Sequence, residues 1–128
     1  MNEEKGVDRS KYLATVLRIY LEMPETPLRA GPSDRERAGD MYQRQVPLTI
    51  VESAFLLGSL RRLDRPPESP RLSPIRSLAY FMPVIEELLA NPFPDGYLDY
   101  LHYKLRKRSV RDPQLDQAGA SPKKYVSS

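Results

Sequence analysis

The chain has 128 residues, no cysteine, one histidine and a net charge of +3 from 20 basic and 17 acidic side chains. This length allows one domain, at roughly 100–200 residues per domain, and the lack of cysteine excludes disulfides, thiolate metal sites and cysteine nucleophiles. No apolar run approaches the roughly 18 residues that span a bilayer. The charged start of the chain also has no apolar signal-peptide core, so we expect a cytoplasmic protein with no membrane partner.

Apolar residues spaced three and four apart predict a first helix over residues 8–23, which the following prolines would end. Residues 1–7 are polar and are predicted to form a flexible N-terminus. In the connector after this helix, Leu28 is expected to anchor the chain to the core. A second helix is expected from Ser33, because Ser33 and Glu36 have the spacing of a capping box.

A third helix is predicted from Pro47, which suits the first helical position, to Leu63. Its apolar residues cover most of the circumference, and such a helix is typically the central one of a bundle. The polar stripe that remains is narrow and consists of Thr49, Glu52, Ser53, Ser59 and Arg62.

A loop rich in proline and arginine over residues 64–72, called the proline loop below, precedes a fourth helix for which Ser73 is the expected N-cap. Pro83 lies within this helix, so the helix is predicted either to bend there or to split, with a second piece over residues 83–89. A fifth helix is predicted over residues 95–108.

From residue 109 onward the composition offers little to bury, which predicts a disordered tail over residues 109–128. No segment shows the alternation of apolar and polar residues that is typical of a strand. The sequence therefore predicts an all-α fold, a compact bundle of five or six short helices over residues 8–108 with a disordered C-terminal tail.

The tight break between the second and third helices has roughly the spacing of a helix-turn-helix motif, with Gln45 at the turn. In that motif the second helix contacts base edges in the major groove, and Thr49 and Ser53 are the predicted base-reading residues. Three features oppose this interpretation. Glutamine stands where glycine is usual, the helix is too apolar and has the acidic Glu52 in its polar stripe, and its length, to Leu63, is greater than the motif needs. The alternative is an ordinary helical hairpin within the bundle.

Basic residues concentrate around the proline loop and along the fifth helix, where two tyrosines interleave with them. Cations interleaved with aromatic rings suit a phosphate backbone and exposed bases. The predicted nucleic-acid-binding residues are Arg61, Arg62, Arg65, Arg71, Arg76, Tyr100, Tyr103, Lys104, Lys107 and Arg108. The alternative is that the cations offset the dipole at a helix C-terminus and that the tyrosines border the core.

Several short segments between residues 35 and 89 carry a resemblance to known proteins: Val46-Pro47-Leu48, Val51-Glu52, Arg61-Arg62, Ile75-Arg76-Ser77-Leu78, Tyr80-Phe81 and Pro83-Val84-Ile85-Glu86-Glu87. Together they resemble helical segments of the replication initiator proteins of bacterial plasmids, phages and mobile elements. The resemblance includes no catalytic motif and implies DNA-associated work in a bacterium.

Catalysis has little support in the sequence. His102 has no acid fixed beside it, and the chain lacks a nucleophile elbow, a phosphate-cradling glycine loop and a zinc-protease motif. Glu86 and Glu87 are adjacent, so on a helix their side chains point about 100° apart and do not form a carboxylate pair. We therefore expect no enzyme activity, no metal and no cofactor.

The leading hypothesis is a small bacterial helical accessory or regulatory protein that contacts DNA or RNA through arginine-rich surfaces. The alternative is a protein-binding adaptor, or a subunit of a larger assembly, whose arginines pair with carboxylates of its partner. The arrangement of charge distinguishes the two. Cations gathered on one face favour nucleic acid, whereas cations that scatter, or that pair with Asp64, Glu86 and Glu87, favour the adaptor.

Overall fold

A computed structural model describes the backbone of residues 2–111 and the side chains of residues 9–108. This part of the chain forms five α-helices, one 3-10 helix and no strand, which confirms the all-α prediction. The elements in chain order are α1 (Asn2–Glu22), α2 (Pro32–Gln43), α3 (Leu48–Leu63), the 3-10 helix (Leu78–Phe81), α4 (Met82–Ala90) and α5 (Tyr97–Arg111).

The ends of the outer helices differ from the predicted ones. α1 begins at Asn2, six residues before the predicted start, because most of the polar residues there are good helix formers. α5 begins at Tyr97 and continues to Arg111, into the segment predicted as a tail. The rest of that predicted tail, residues 112–128, lies outside the described residues.

α3 is the central helix, as predicted, and it contacts α1, α4, α5 and the 3-10 helix. Three fully buried aromatic rings, those of Tyr20, Phe55 and Phe81, meet at its middle. The ring centroids of Phe55 and Phe81 are 4.9 Å apart, and each lies 6.2 Å from the centroid of Tyr20. Tilted and edge-on pairs at these separations are favourable, so this cluster joins α1, α3 and the 3-10 helix.

The predicted cap at Ser33 is wrong, because α2 begins one residue earlier, at Pro32, with Gly31 as its N-cap. The side chain that satisfies the helix start is Asp34, which accepts the Gly31 N–H at 3.0 Å. Its second oxygen accepts the Leu78 N–H at 2.9 Å, so the same carboxylate also binds the start of the 3-10 helix. We call this pair of hydrogen bonds the Asp34 clamp.

The predicted helix start at Ser73 is also wrong. Residues 71–77 are not helical, and the Ile75 N–H donates to the Glu25 carbonyl at 2.9 Å, which holds the segment along the connector after α1. Ser77 is the cap instead, because its hydroxyl accepts the Ala79 N–H at 3.0 Å. Pro83 lies in the first turn of α4, where a missing N–H is tolerated, and the split alternative is therefore the correct one.

Gln45 adopts a left-handed backbone conformation, with φ of 59°, between α2 and α3. The Gln45 N–H donates to the Tyr42 carbonyl at 2.9 Å and the Val46 N–H donates to the Met41 carbonyl at 3.0 Å. These two bonds and the buried pair of Met41 and Val46 are the Schellman arrangement that ends helices. α2 then packs on α1 and on the 3-10 helix rather than along α3.

The left-handed conformation predicts that Gln45→Gly stabilises the protein, by about 1 kcal/mol, because glycine has no Cβ to clash in this region. Gln43→Gly is the matched control. It lies in the last turn of α2 and should destabilise the protein by about 1 kcal/mol. Urea unfolding followed by circular dichroism measures both. Equal effects of the two substitutions would contradict the role given to Gln45.

At Gly58, we expect a substitution by alanine to change the stability in the direction opposite to the one that helix propensity predicts. A Cβ at this position of α3 would lie 2.9 Å from two ring carbons of the buried Phe81. Gly58→Ala should therefore destabilise the protein by about 1–3 kcal/mol, although propensity alone predicts a gain of about 1 kcal/mol. Gly39→Ala in α2 is the control, because its Cβ meets only the far end of the flexible Arg9 side chain and should be neutral or stabilising. The same unfolding measurement decides between the two expectations.

Candidate nucleic-acid interface

α3 and α5 lie side by side and run in the same direction. Near their starts, His102 Nε2 lies 2.7 Å from Glu52 Oε2, and near their ends Arg108 donates to the Leu63 carbonyl at 2.6 Å. The last turns of α5 therefore lie against the beginning of the proline loop. The two basic clusters that are separate in the sequence thus meet at one end of the molecule.

Several of the predicted phosphate-binding arginines pair with carboxylates of the protein itself. Arg61 donates to both carboxylate oxygens of Glu87, at 2.9 and 2.8 Å. Arg108 lies 2.5 Å from Asp64. Arg62 pairs with Glu25 and also donates to the Ser73 carbonyl at 2.8 Å. These arginines contribute to the fold, and a phosphate would have to compete with their carboxylates.

A further exposed pair joins Arg44 at the end of α2 to Glu86 on α4, with two hydrogen bonds of 2.8 and 3.0 Å. Hydrogen bonds from Arg44 and Arg61 lower the pKa of Glu86 and of Glu87, respectively, below the ordinary glutamate range. The same contacts raise the pKa of both arginines. The two pairs hold α4 against α2 and α3.

Other predicted cations have no carboxylate partner among the described residues. Arg65 donates only to the Pro70 carbonyl, at 3.2 Å, while Arg71 and Arg76 are exposed along the proline loop and the extended segment that follows it. The positive charge of these three arginines is therefore available to a phosphate.

One face of α5 combines exposed tyrosines with lysines. Tyr100 and Tyr103 are 47% and 52% exposed, while Leu101 on the opposite face is buried. Lys104 Nζ lies 5.8 Å from the ring centroid of Tyr100, and Lys107 Nζ lies 5.7 Å from that of Tyr103, so each lysine is close to one aromatic ring. Because these residues are three or four apart, they form a single stripe, which we call the α5 stripe.

The two predicted base-reading residues differ in exposure, because Thr49 near the start of α3 is exposed whereas Ser53 is buried. Ser53 is 6% exposed. It lines, with Thr49, a cavity of about 340 Å³ closed on the other side by the segment that leads into α5. That wall includes the carboxylates of Asp95 and Asp99, which repel phosphate. α5 and the segment before it lie against the face of α3 that carries Ser53, so this side chain is not available to a DNA groove.

Sequence reasoning missed Glu25, which contacts two of the elements around the proline loop. Its carboxylate pairs with Arg62 and its carbonyl accepts the Ile75 N–H. Its φ of 68° is in the left-handed region, which is costly for a glutamate. No motif marks such a residue, and only the prolines on either side indicate a turn. The expected anchor of this connector, Leu28, is instead 98% exposed.

No protein-family model, no curated protein and no solved structure matches the chain. Among the described residues, no helix combines the length and apolar character needed to cross a bilayer. The same residues contain no group of three or more acidic or histidine side chains placed to hold a metal ion.

The lowered pKa values of Glu86 and Glu87 predict a pH-dependent contribution to stability. As the pH falls through the ordinary glutamate pKa of about 4.3, the unfolded chain takes up protons before the folded protein does. We therefore expect Glu86→Gln with Glu87→Gln to be less stable than the wild type at neutral pH. This difference should vanish as the pH falls through the lowered values.

Chemical unfolding between pH 7 and pH 3 measures the difference. The control, Glu36→Gln with Glu68→Gln, removes two exposed carboxylates that have no arginine partner among the described residues. A gap between the first variant and the wild type that stays constant over this range would show that the two pairs contribute nothing through charge.

Proposed function

We propose that the protein is a small helical accessory or regulatory protein of the bacterial cytoplasm that contacts nucleic acid through one end of its bundle. The observation that carries the proposal is the α5 stripe, which presents two exposed tyrosines with their lysines. It lies on the helix whose Arg108 contacts the start of the proline loop. Arg65, Arg71 and Arg76 extend the positive charge along that loop and the segment that follows it. These residues are the part of the predicted interface that carries the proposal.

The chemistry of the α5 stripe suits a single strand in particular. Lysine ammonium groups neutralise phosphates and release condensed counterions, while tyrosine rings offer stacking surfaces to unpaired bases. Arg61, Arg62 and Arg108 are secondary contacts in this proposal, because their guanidinium groups already bind carboxylates. The resemblance to replication initiators favours DNA as the polymer and a mobile element as the setting.

A second candidate is a protein-binding adaptor, and a specific observation favours it. Arg61 and Arg108 pair with Glu87 and Asp64, and Arg44 pairs with Glu86, which is the arrangement expected if arginines serve protein contacts. The exposed side chain of Leu28 offers an apolar contact to such a partner. An adaptor would have no affinity for nucleic acid even at low salt.

Fluorescence anisotropy with single-stranded and duplex DNA and RNA, at low and at physiological salt, tests the proposal. Lys104→Gln with Lys107→Gln should weaken binding across all sequences. It should also flatten the dependence of log K on log salt by roughly 0.7 for each phosphate of a single strand that the protein no longer neutralises. Tyr100→Ala with Tyr103→Ala should weaken single-strand binding more than duplex binding, because only unpaired bases stack on the rings.

The matched control is Arg18→Gln with Arg44→Gln, which removes the same charge from α1 and α2, and it should keep the wild-type salt dependence. If the wild-type protein binds no DNA or RNA at low salt, the proposal is overturned in favour of the adaptor. If the double lysine variant and the control weaken binding equally, binding depends on net charge alone and the α5 stripe has no specific part in it.

A further inference from the structure

The proline loop and the connector after α1 line an open cavity of about 180 Å³ that is rich in arginine. Its wall includes Arg62, Arg65, Arg71 and Ser69, and Glu25 is the one acidic residue in it. Three guanidinium groups against one carboxylate leave two net positive charges on the lining side chains. A phosphate monoester carries about −1.5 to −2 at neutral pH, whereas a phosphodiester within a strand carries a single negative charge, so the lining charge matches the monoester.

Two of the arginines that line the cavity are held in place by contacts within the protein. The Arg62 side chain is only 8% exposed. It is fixed by the Ser73 carbonyl, by Glu25 and by the ring of Tyr80, whose centroid lies 5.2 Å from the guanidinium carbon. Arg65 is oriented by the Pro70 carbonyl. Guanidinium groups held in place lose less side-chain freedom when they bind an oxyanion.

Glu25 has the position of a substitute anion in this cavity. Its carboxylate pairs with the guanidinium group of Arg62. Its backbone lies in the left-handed region, and its carbonyl accepts a hydrogen bond from the Ile75 N–H. Glu25 itself is exposed, so its carboxylate can move into water when a phosphate replaces it. The Glu25 side chain lies at the wall of the cavity, beside the arginines.

A shallow and largely apolar groove of about 430 Å³ adjoins the cavity and shares Arg62 and Leu72 with it. Its exposed surface includes Tyr80, which is 43% exposed, and Pro74. A phosphate held in the arginine cavity would thus have a flat apolar surface beside it. This is the composition that a nucleotide requires, with charge for its phosphate and an aromatic face for its base.

We propose that the arginine cavity and the adjoining groove form a binding site for a nucleoside 5′-monophosphate unit, with the phosphate on Arg65, Arg71 and Arg62 and the base against Tyr80 and Leu72. The unit is either the 5′-phosphorylated end of a strand or a free nucleotide, because both present the same chemistry. This inference deepens the proposed function and rests on it for the strand as ligand, but it concerns residues outside the α5 stripe.

The experiment compares two single strands that differ only in a 5′-phosphate or a 5′-hydroxyl, each labelled at its 3′ end. The wild type should bind the phosphorylated strand about tenfold more tightly, in line with hydrogen bonds to a charged group. Arg65→Gln with Arg71→Gln should abolish this preference, so that the two strands bind equally. Both affinities should also fall by the share that these two charges contribute to the strand interface, so the ratio of the two affinities is the readout. Glu25→Gln should increase the preference, because it removes the competing carboxylate.

Calorimetry with adenosine 5′-monophosphate, with adenosine and with inorganic phosphate distinguishes a site for free nucleotides from a site for strand ends. Tight binding of the free nucleotide assigns the site to nucleotides, whereas a preference seen only with the strand assigns it to strand ends. Tyr80→Ala should weaken the binding of the nucleotide but not the binding of inorganic phosphate. Arg44→Gln is the control and should change none of these values, and thermal unfolding shows whether each variant is folded.

The inference is overturned if folded wild-type protein binds both strands equally and binds neither the nucleotide nor inorganic phosphate. In that case binding of the 5′-hydroxyl strand would still support the proposed function. Conversely, binding of the free nucleotide without binding of any strand would support the site and overturn the proposed function.

Discussion

The fold depends on a buried carboxylate that joins the starts of two helical segments distant in the chain. Asp34 is 3% exposed, and burying a charge is costly unless hydrogen bonds replace water. The N–H groups of Gly31 and Leu78 supply them, and both lie at helix starts, where backbone dipoles favour negative charge. Burial and the charge of Asp34 raise the pKa of Tyr20 to about 12, and the Tyr20 hydroxyl has no hydrogen-bond partner among the described residues.

The Asp34 clamp also determines where the proline loop can lie. This loop and the segment after it have no helix or strand of their own, so their path is set at the two ends. At one end α3 finishes at Leu63, whose carbonyl binds Arg108 on α5. At the other end the Asp34 clamp holds Leu78, and the bond from Ile75 to Glu25 ties the preceding residues to the connector. The arginines between these ends therefore lie on a segment whose two ends are both held by hydrogen bonds to the rest of the protein.

Periodicity predicts the part of this structure that depends on burial, namely the helices and the central position of α3. It fails where a tertiary hydrogen bond decides the conformation. Ser33 and Ser73 both have good capping chemistry, yet the caps form at Gly31 and Ser77, because Asp34 and Ile75 have partners far away in the chain. The sequence offered Asp64, Glu86 and Glu87 as possible partners of the arginines but could not assign the pairs or find Glu25. Most of these carboxylates lie 26 to 44 residues from their arginines, further than any local rule extends.

The central position of α3 has a consequence for synthesis on the ribosome. α1 covers one part of its apolar surface, and the rest is covered by the 3-10 helix, α4 and α5, all of which follow α3 in the chain. A nascent chain that has released α3 alone therefore presents Phe55, Leu56 and Leu60 to water until Phe81 and Leu101 have emerged. Exposed apolar helices of this kind aggregate or engage chaperones. Chains that terminate within the proline loop are for this reason candidates for degradation rather than shorter versions of the folded protein.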